Sequence, residues 1–391
     1  MNWVMYQYQC LNAVSEAGLS LFPESYQRTQ SMEEADVLLV RSASLHETVF
    51  PDNVKAVARA GAGVNNIPLK TCAEKGIVVF NTPGANANGV KELVIAGLLL
   101  ASRDIIGGIE WVKAHAGEEQ IAGAAEKEKK RFAGQEIEGK KLGVIGLGAI
   151  GALVANAALH LGMEVYGYDP YLSVDSAWNL SRHIHHVRDL EEICRECDYI
   201  TLHVPVVDDT KGMIHRETLS QMKDGVILLN FARDLLVKEE DLLEALTTGH
   251  VRSYVTDFPT KKLSGKERVI VIPHLGASTD ESEENCARMA VRQLQDYLEN
   301  GNIVNSVNYP NCNMGKKGKN PRLTVLHYNV PNMIGQFTML LAKRGVNIAD
   351  LTNKSRGRYA YTMVDMDETA FPELEKELLR IENVLKVRLI L

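Results

Sequence analysis

Between Leu142 and Asp169 an apolar run, Leu142 to Ile145, enters Gly146-Leu-Gly148-Ala149-Ile150-Gly151. An apolar helical stretch follows, then a second short run that stops at Asp169. Few local patterns restrict a fold as tightly. The first run has to be a strand and the glycines a tight turn. The helix then has to begin where backbone N–H groups point outward without partners, so that an anionic pyrophosphate can rest on them. A GxGxxG turn alone is a weak signal, and the acid strengthens it. Asp169 stands 18 residues past the third glycine (169 minus 151), where a carboxylate can accept hydrogen bonds from both hydroxyls of a ribose. That carboxylate repels a 2′-phosphate, so the reading is NAD rather than NADP. Gly146, Gly148, Ala149, Ile150, Gly151 and Asp169 are the expected contacts.

The rest of the chain limits the setting. At 391 residues and 45% hydrophobic it can bury a sizeable core in two or three domains. A net charge of -7 offers no basic field to nucleic acid or an anionic membrane. The start, Met1-Asn2-Trp3-Val4-Met5-Tyr6, has no secretory pattern, and no apolar run approaches the ~20 residues of a membrane span. A soluble cytosolic protein is expected. The 6 cysteines are scattered, Cys194 and Cys197 form a lone CxxC, and His183, His185 and His186 have no acid or cysteine set beside them. Reduced structural thiols and a solvated histidine tract are the expectation, with no metal.

Hydropathy divides the chain further. Strands are expected at 35–40 and 77–80, a short helix or strand at 54–60, and one long helix from Val90 to about Ala114. Glu126 to Arg131 is expected to be a solvated helix face. Strand and helix then alternate, with strands at 141–145, 164–168, 199–204, 226–230, 253–257 and 269–272, which predicts a parallel sheet covered on both faces. A helix over about 283–298 leads to a polar, basic, glycine-containing stretch, Asn311 to Asn320, expected to be a linker. Residues 321–391 then read strand, helix, strand, strand, helix, strand, the βαββαβ pattern of a ferredoxin-like module.

Four later segments resemble the D-isomer-specific 2-hydroxyacid dehydrogenases: Thr201-Leu-His-Val-Pro205, Asn230-Phe-Ala-Arg233, Thr256-Asp257-Phe-Pro259 and Pro273-His-Leu-Gly-Ala-Ser-Thr279. Arg41-Ser42, Arg59-Ala-Gly-Ala-Gly-Val-Asn-Asn66 and Asn81-Thr-Pro-Gly-Ala-Asn-Ala-Asn88 are most similar to the branch of that family that oxidises 3-phospho-D-glycerate. The last 70 or so residues resemble its ACT regulatory domain. The resemblance implies two Rossmann-like parallel-sheet lobes flanking a cleft. The substrate lobe is 1–92 with 288–306, the NAD lobe 93–287, the linker 307–320 and the ACT domain 321–391. It further implies that His203, Val204, Pro205, Thr210, Phe231, Ala232, Arg233, Asp257, His274, Gly276 and Ala277 line the cofactor, and that Arg41, Ser42, Arg59, Ala62, Gly63, Asn86 and Asn88 bind the substrate. His327, Asn329 and Asn347 would hold an amino-acid effector, L-serine, at a dimer interface, and Asn332 stands where that domain usually has glycine. A purely dimerising module is the alternative.

Chemistry supports the same cleft. Oxidising an alcohol requires a base of near-neutral pKa at the hydroxyl. His274 follows the run Val269 to Ile272, at the carboxyl end of a strand where open α/β sheets bind ligands. Arg233 follows the strand ending at Asn230, and its planar fork can hold a 2-hydroxy carboxylate. Arg41, Arg59 and Arg233 together supply charge for a carboxylate plus a phosphate. One departure stands out: most of the family place a glutamate about five residues past the aspartate, to pair with the histidine. An ungapped count lands on Lys262, and aligning the Phe-Pro pair lands on Lys261. The expectation is that a lysine, Lys262 by the count, replaces the acid. The function expected is NAD-dependent oxidation of 3-phospho-D-glycerate in a dimer or tetramer of identical chains. The alternatives are another D-2-hydroxyacid dehydrogenase and a nucleotide-sensing binding protein of the same fold.

Overall fold

The computed structural model describes residues 5–367 and 373–391, so the first four residues of the N-terminal stretch read above lie outside it. Two compact units divide the chain, residues 1–86 with 280–391, and residues 87–279. The changeovers fall where the helices Ala87–Ser102 and Asp280–Asn300 begin. The boundaries that the resemblance implies, 92/93 and 287/288, fall inside these two helices.

The first unit opens with five parallel strands: β1 (Tyr6–Cys10), β2 (Tyr26–Arg28), β3 (Val37–Val40), β4 (Ala56–Arg59) and β5 (Val78–Phe80), in the order β2-β1-β3-β4-β5. Sequence patterning finds β3 and β5, leaves β4 ambiguous, and misses β1 and β2. β1 reads Tyr-Gln-Tyr-Gln-Cys with only its central residue buried, and β2 is a three-residue edge. Neither carries the apolar run that marks a covered strand.

The second unit holds seven parallel strands: β6 (Lys141–Ile145), β7 (Glu164–Tyr168), β8 (His185–His186), β9 (Tyr199–Leu202), β10 (Val226–Asn230), β11 (Val251–Thr256) and β12 (Val269–Val271). Their order, β12-β11-β10-β9-β6-β7-β8, reverses direction between β6 and β9, which is where ligands bind in such sheets. The long helix expected over 90–114 is two helices, Ala87–Ser102 and Ile105–Ala114. Asp104 breaks it by accepting the backbone N–H of Gly107 at 2.9 Å, an N-cap that restarts the helix on a new axis. The charge run from Glu126 lies on a helix and a 3-10 turn with no buried residue.

Residues after 320 form β13 (Arg322–Tyr328), β14 (Ile348–Arg356), β15 (Tyr359–Met366) and β16 (Val384–Ile390), antiparallel in the order β14-β15-β13-β16, with helices Met333–Lys343 and Glu373–Leu379. Alternation along the strands gives this sheet two buried faces. Leu323, Val325 and Val364 pack on Phe337, Leu341 and Leu378 of its own helices. Leu326, Tyr361 and Met363 share a core with β1, β3, β4 and the helix Asp280–Asn300. Two buried arginines bind that helix's carboxyl end. Arg388 donates to the carbonyls of Tyr297 (3.1 Å) and Leu298 (2.8 Å), and Arg322 to that of Asn300 (2.8 Å) while pairing with Asp365. The Tyr297 carbonyl also accepts the Gly301 N–H at 3.0 Å and that of Leu298 the Tyr6 hydroxyl at 3.2 Å, and the guanidiniums add charge that complements the helix dipole. The stretch expected to be a linker is folded into the same unit. Tyr309 and Cys312 are buried, and Tyr309 donates to the carbonyl of Ala73 at 2.7 Å.

Candidate active site

The glycine turn follows from three steric demands, one per glycine. Gly146 takes a φ of 90°, a conformation that glycine adopts freely. A Cβ on Gly151 would lie 1.9 Å from the Gly146 carbonyl oxygen, so the helix Ala149–His160 can start against the turn only with glycine there. A Cβ on Gly148 would meet nothing within 4 Å: its missing side chain leaves open space at the helix N-terminus, a cradle of the kind a pyrophosphate fills. Asp169 follows β7 and accepts the N–H groups of Leu147 and Tyr171, each at 2.9 Å. A carboxylate has about four lone-pair positions, so acceptor capacity remains for a ribose.

Across the reversal point, His203 lies in the loop after β9, 3.0 Å from Thr201 Oγ1, and burial holds its imidazole neutral with a pKa near 3. Thr210 donates to the Pro205 carbonyl at 2.6 Å and accepts from the Val207 N–H at 2.9 Å, which fixes the loop carrying Val204 and Pro205. Beyond β10, the buried Asn230 amide donates to the Arg233 carbonyl at 2.9 Å and to the Tyr254 hydroxyl at 3.2 Å. It locks the turn through buried Phe231 and half-buried Ala232 and leaves the Arg233 side chain exposed. The guanidinium donates to the Ala232 carbonyl at 2.6 Å and forms no ion pair among the described residues.

His274 follows β12 with a φ of 44°, a strained value for a histidine. Its N–H donates to the carbonyls of Asp257 (3.0 Å) and Ile272 (2.9 Å), and its ring meets Phe258 edge-on at 5.0 Å. Asp257 is 3% exposed, and its Oδ1 has no hydrogen-bond partner. Burial raises its pKa, opposed by His274, the Gly276 N–H and Arg233. The strand ends thus bring Arg233, Asp257, His274, Gly276 and Ala277 together. The orphaned carboxylate oxygen and the open cradle at Gly148 are unmet features that fit NAD.

The lysines differ from expectation. Lys262, the residue reached by the count, is ion-paired with Glu240 on the helix Glu239–Thr248. Lys261 has no partner among the described residues. Cys194 and Cys197 are buried thiols pushed up to about 11 and about 12, and no three histidine, cysteine or acidic residues form a metal set among the described residues.

In the first unit, Arg41 and Arg59 follow neighbouring strands, β3 and β4, and the Arg59 Nε donates to the Arg41 carbonyl at 3.1 Å. Gly61, with a φ of 151°, makes room: a Cβ there would lie 1.6 Å from an Arg59 Nη. Asn12, just past β1, accepts the Arg41 N–H at 2.9 Å and donates to Ser42 at 3.1 Å. The Asn81 amide donates to the Ala62 carbonyl at 2.6 Å, and a Cβ on Gly63 would meet the Asn65 Oδ1 at 3.8 Å. Asn86 ends this unit's first segment, whereas Asn88 belongs to the other unit and donates to Glu92 along its own helix. Sequence reasoning missed Asn12, because β1 was not recognised, and Glu283, which pairs with Arg41 from the helix Asp280–Asn300.

The expected effector residues do not converge within one chain. His327 is buried, and its ring nitrogens are taken by the Tyr328 carbonyl (2.8 Å) and the Thr362 hydroxyl (2.9 Å). Asn329 bonds Gly357 and Asn347 bonds Asp367, at opposite ends of β15. That separation is on the order of 20 Å at a strand's rise per residue. Asn332 adopts the left-handed conformation (φ 66°) in place of glycine.

Residues 95–276 match the family model described as D-isomer specific 2-hydroxyacid dehydrogenase, NAD binding domain. The chain is 35% identical over 351 residues to a D-3-phosphoglycerate dehydrogenase of Methanocaldococcus jannaschii, covering 88% of this chain and 64% of that one. It is 38% identical over 273 residues to a hydroxypyruvate reductase of Thermotoga maritima, 67% of this chain and 84% of that one. Among solved structures it is similar to the NAD+-bound 3-phosphoglycerate dehydrogenase of Entamoeba histolytica: 28% identity, TM-score 0.58, covering 78% of this chain and 99% of that chain. The protein belongs to the D-isomer-specific 2-hydroxyacid dehydrogenase family, and its second unit is that family's NAD-binding domain.

Proposed function

We propose that the protein oxidises 3-phospho-D-glycerate to 3-phosphonooxypyruvate, the first step toward L-serine, as a cytosolic oligomer of identical chains. Support comes above all from Arg41 and Arg59, two arginines at the ends of the neighbouring strands β3 and β4, the Arg59 guanidinium donating to the Arg41 carbonyl. Bound NAD supplies the hydride acceptor. His274 takes the hydroxyl proton, and its strained φ aims the ring from the end of its strand. Arg233, in no ion pair among the described residues, takes the substrate carboxylate and polarises the forming ketone. Arg41 and Arg59 take the phosphate, with Ser42, Ala62, Gly63, Asn86 and Asn88 as neighbours. Asp257 faces the nicotinamide end. The glutamate usual beside the histidine is absent, and of the two lysines in its place Lys261 is the free one, so the role assigned by count to Lys262 passes to Lys261.

The relatives carry two different names, so substrate choice has to be measured. The test is NADH formation with 3-phosphoglycerate against D-glycerate and other unphosphorylated D-2-hydroxy acids. A clear preference for the phosphorylated acid supports the reading. Equal or better turnover of unphosphorylated acids replaces it with another dehydrogenase of the family, and no turnover with any acid leaves a nucleotide-binding protein.

A further inference from the structure

The paired arginines share their end of the first sheet with one acid. Arg41 is ion-paired with Glu283, both side chains being partly exposed, at 42% and 37%. Glu283 lies in the first turn of the helix Asp280–Asn300, and the next turn brings buried Cys286 close to Arg59 and Arg41. Arg59 itself has no carboxylate partner among the described residues. Two cations therefore stand at neighbouring strand ends, Arg59 on a main-chain carbonyl and Arg41 on a single anion.

We propose that Glu283 is a resident counter-anion that competes with the ligand phosphate for Arg41: it holds the guanidinium when the site is empty and yields it to an incoming group of higher charge. The claim rests on the reading of Arg41 and Arg59 as the anion site. An ion pair between half-exposed side chains is worth little and is easily exchanged. A ligand carboxylate has the same charge and acceptor geometry as Glu283, so exchange gains nothing. A phosphate carries about -1.5 to -2 charges and three acceptor oxygens, and it outcompetes the glutamate. Glu283 thereby weakens binding only of a ligand that takes Arg41, and an acid whose single carboxylate goes to Arg233 does not compete with it.

The test compares the wild type with Glu283→Gln and Glu283→Asp, measuring KM for 3-phosphoglycerate, D-glycerate and NAD. In parallel, inorganic phosphate is titrated calorimetrically with NAD present. Glu283→Gln is expected to lower the KM for 3-phosphoglycerate by up to roughly fivefold, the worth of one exposed pair. The KM for D-glycerate, whose single carboxylate goes to Arg233, moves less, so the preference for the phosphorylated acid widens, while Glu283→Asp stays near wild type and the KM for NAD does not move. An unchanged preference, or a raised KM for 3-phosphoglycerate in Glu283→Gln, overturns the proposal, because Glu283 would then only anchor Arg41. If no form of the protein oxidises 3-phosphoglycerate, the substrate reading fails on its own. The phosphate titration still decides the role of Glu283, with tighter binding to Glu283→Gln in its favour and equal binding against it.

Discussion

Single residues carry the cofactor and proton chemistry, and the glycines separate folding from binding. Gly151→Ala places a methyl group 1.9 Å from a main-chain oxygen, so it should destabilise the second unit and abolish NAD binding together. Gly148→Ala adds the same methyl group to open space. Its melting temperature should stay near wild type while the Kd for NAD rises at least tenfold, on the order of one lost main-chain contact to an anion. Calorimetry on both variants checks the pair, and equal effects would contradict the cradle. His274→Ala should cost about 10²–10⁴ in kcat with NAD affinity kept. Lys261→Ala should change the pH profile of turnover and Lys262→Ala should not, and the reverse result would return the role to Lys262. At this scale much was legible. Asp169, Arg233 and His274 are fixed by distance from a recognisable strand end, which sequence spacing reports. The partner of Lys262 was not legible, because Glu240 reaches it from a separate helix. The enclosure of His327 was equally hidden, since its ring nitrogens are satisfied by Tyr328 and Thr362 across the sheet.

Elements were legible in proportion to how fully they are buried. β6 and β10 are near-continuous apolar runs and were read to their ends, whereas β1 and β2 are half-polar and went unseen. The break at Asp104 was missed because apolar residues continue on both sides of it while the cap is a single hydrogen bond. β16 carries a testable electrostatic strain. Lys386 donates to the carbonyls of Asp52 (3.2 Å) and Val54 (2.6 Å), and burial, reinforced by Lys55, Arg388 and Lys75, pushes its pKa from 10.5 down to about 8. Between those values the unfolded chain binds the extra proton, so stability rises with pH across the window from about 8 to 10.5 and the penalty is complete below about 8. Denaturant melts of wild type and Lys386→Met at pH 7 and pH 10 should therefore show the difference moving in favour of the wild type at the higher pH, by up to about 3 kcal/mol. A difference independent of pH would contradict the depressed pKa.

At the scale of the whole chain, the largest departure from sequence reasoning concerns the last 71 residues (391 minus 320). A polar linker and a self-contained βαββαβ pattern indicate a tethered module. In the structure, Leu326, Tyr361 and Met363 complete the core of the first sheet, and Arg322 and Arg388 close the carboxyl end of the helix whose other end holds Glu283. Hydropathy could not show this, because a sheet buried on both faces differs from one buried on a single face only in the alternate residues, and here those include a buried Arg322 and Arg388. Deleting residues 321–391 should therefore leave the first unit unfolded or aggregated rather than merely unregulated, as judged by the loss of its melting transition. The central claim is the proposed oxidation of a phosphorylated 2-hydroxy acid. Initial rates of NADH formation from 3-phosphoglycerate by wild type and Arg59→Ala test it most directly. The account predicts turnover by the wild type and, in the variant, a KM for 3-phosphoglycerate raised at least tenfold, about the worth of one charged hydrogen bond, with the KM for NAD unchanged. No turnover, or equal shifts in both constants, would contradict it.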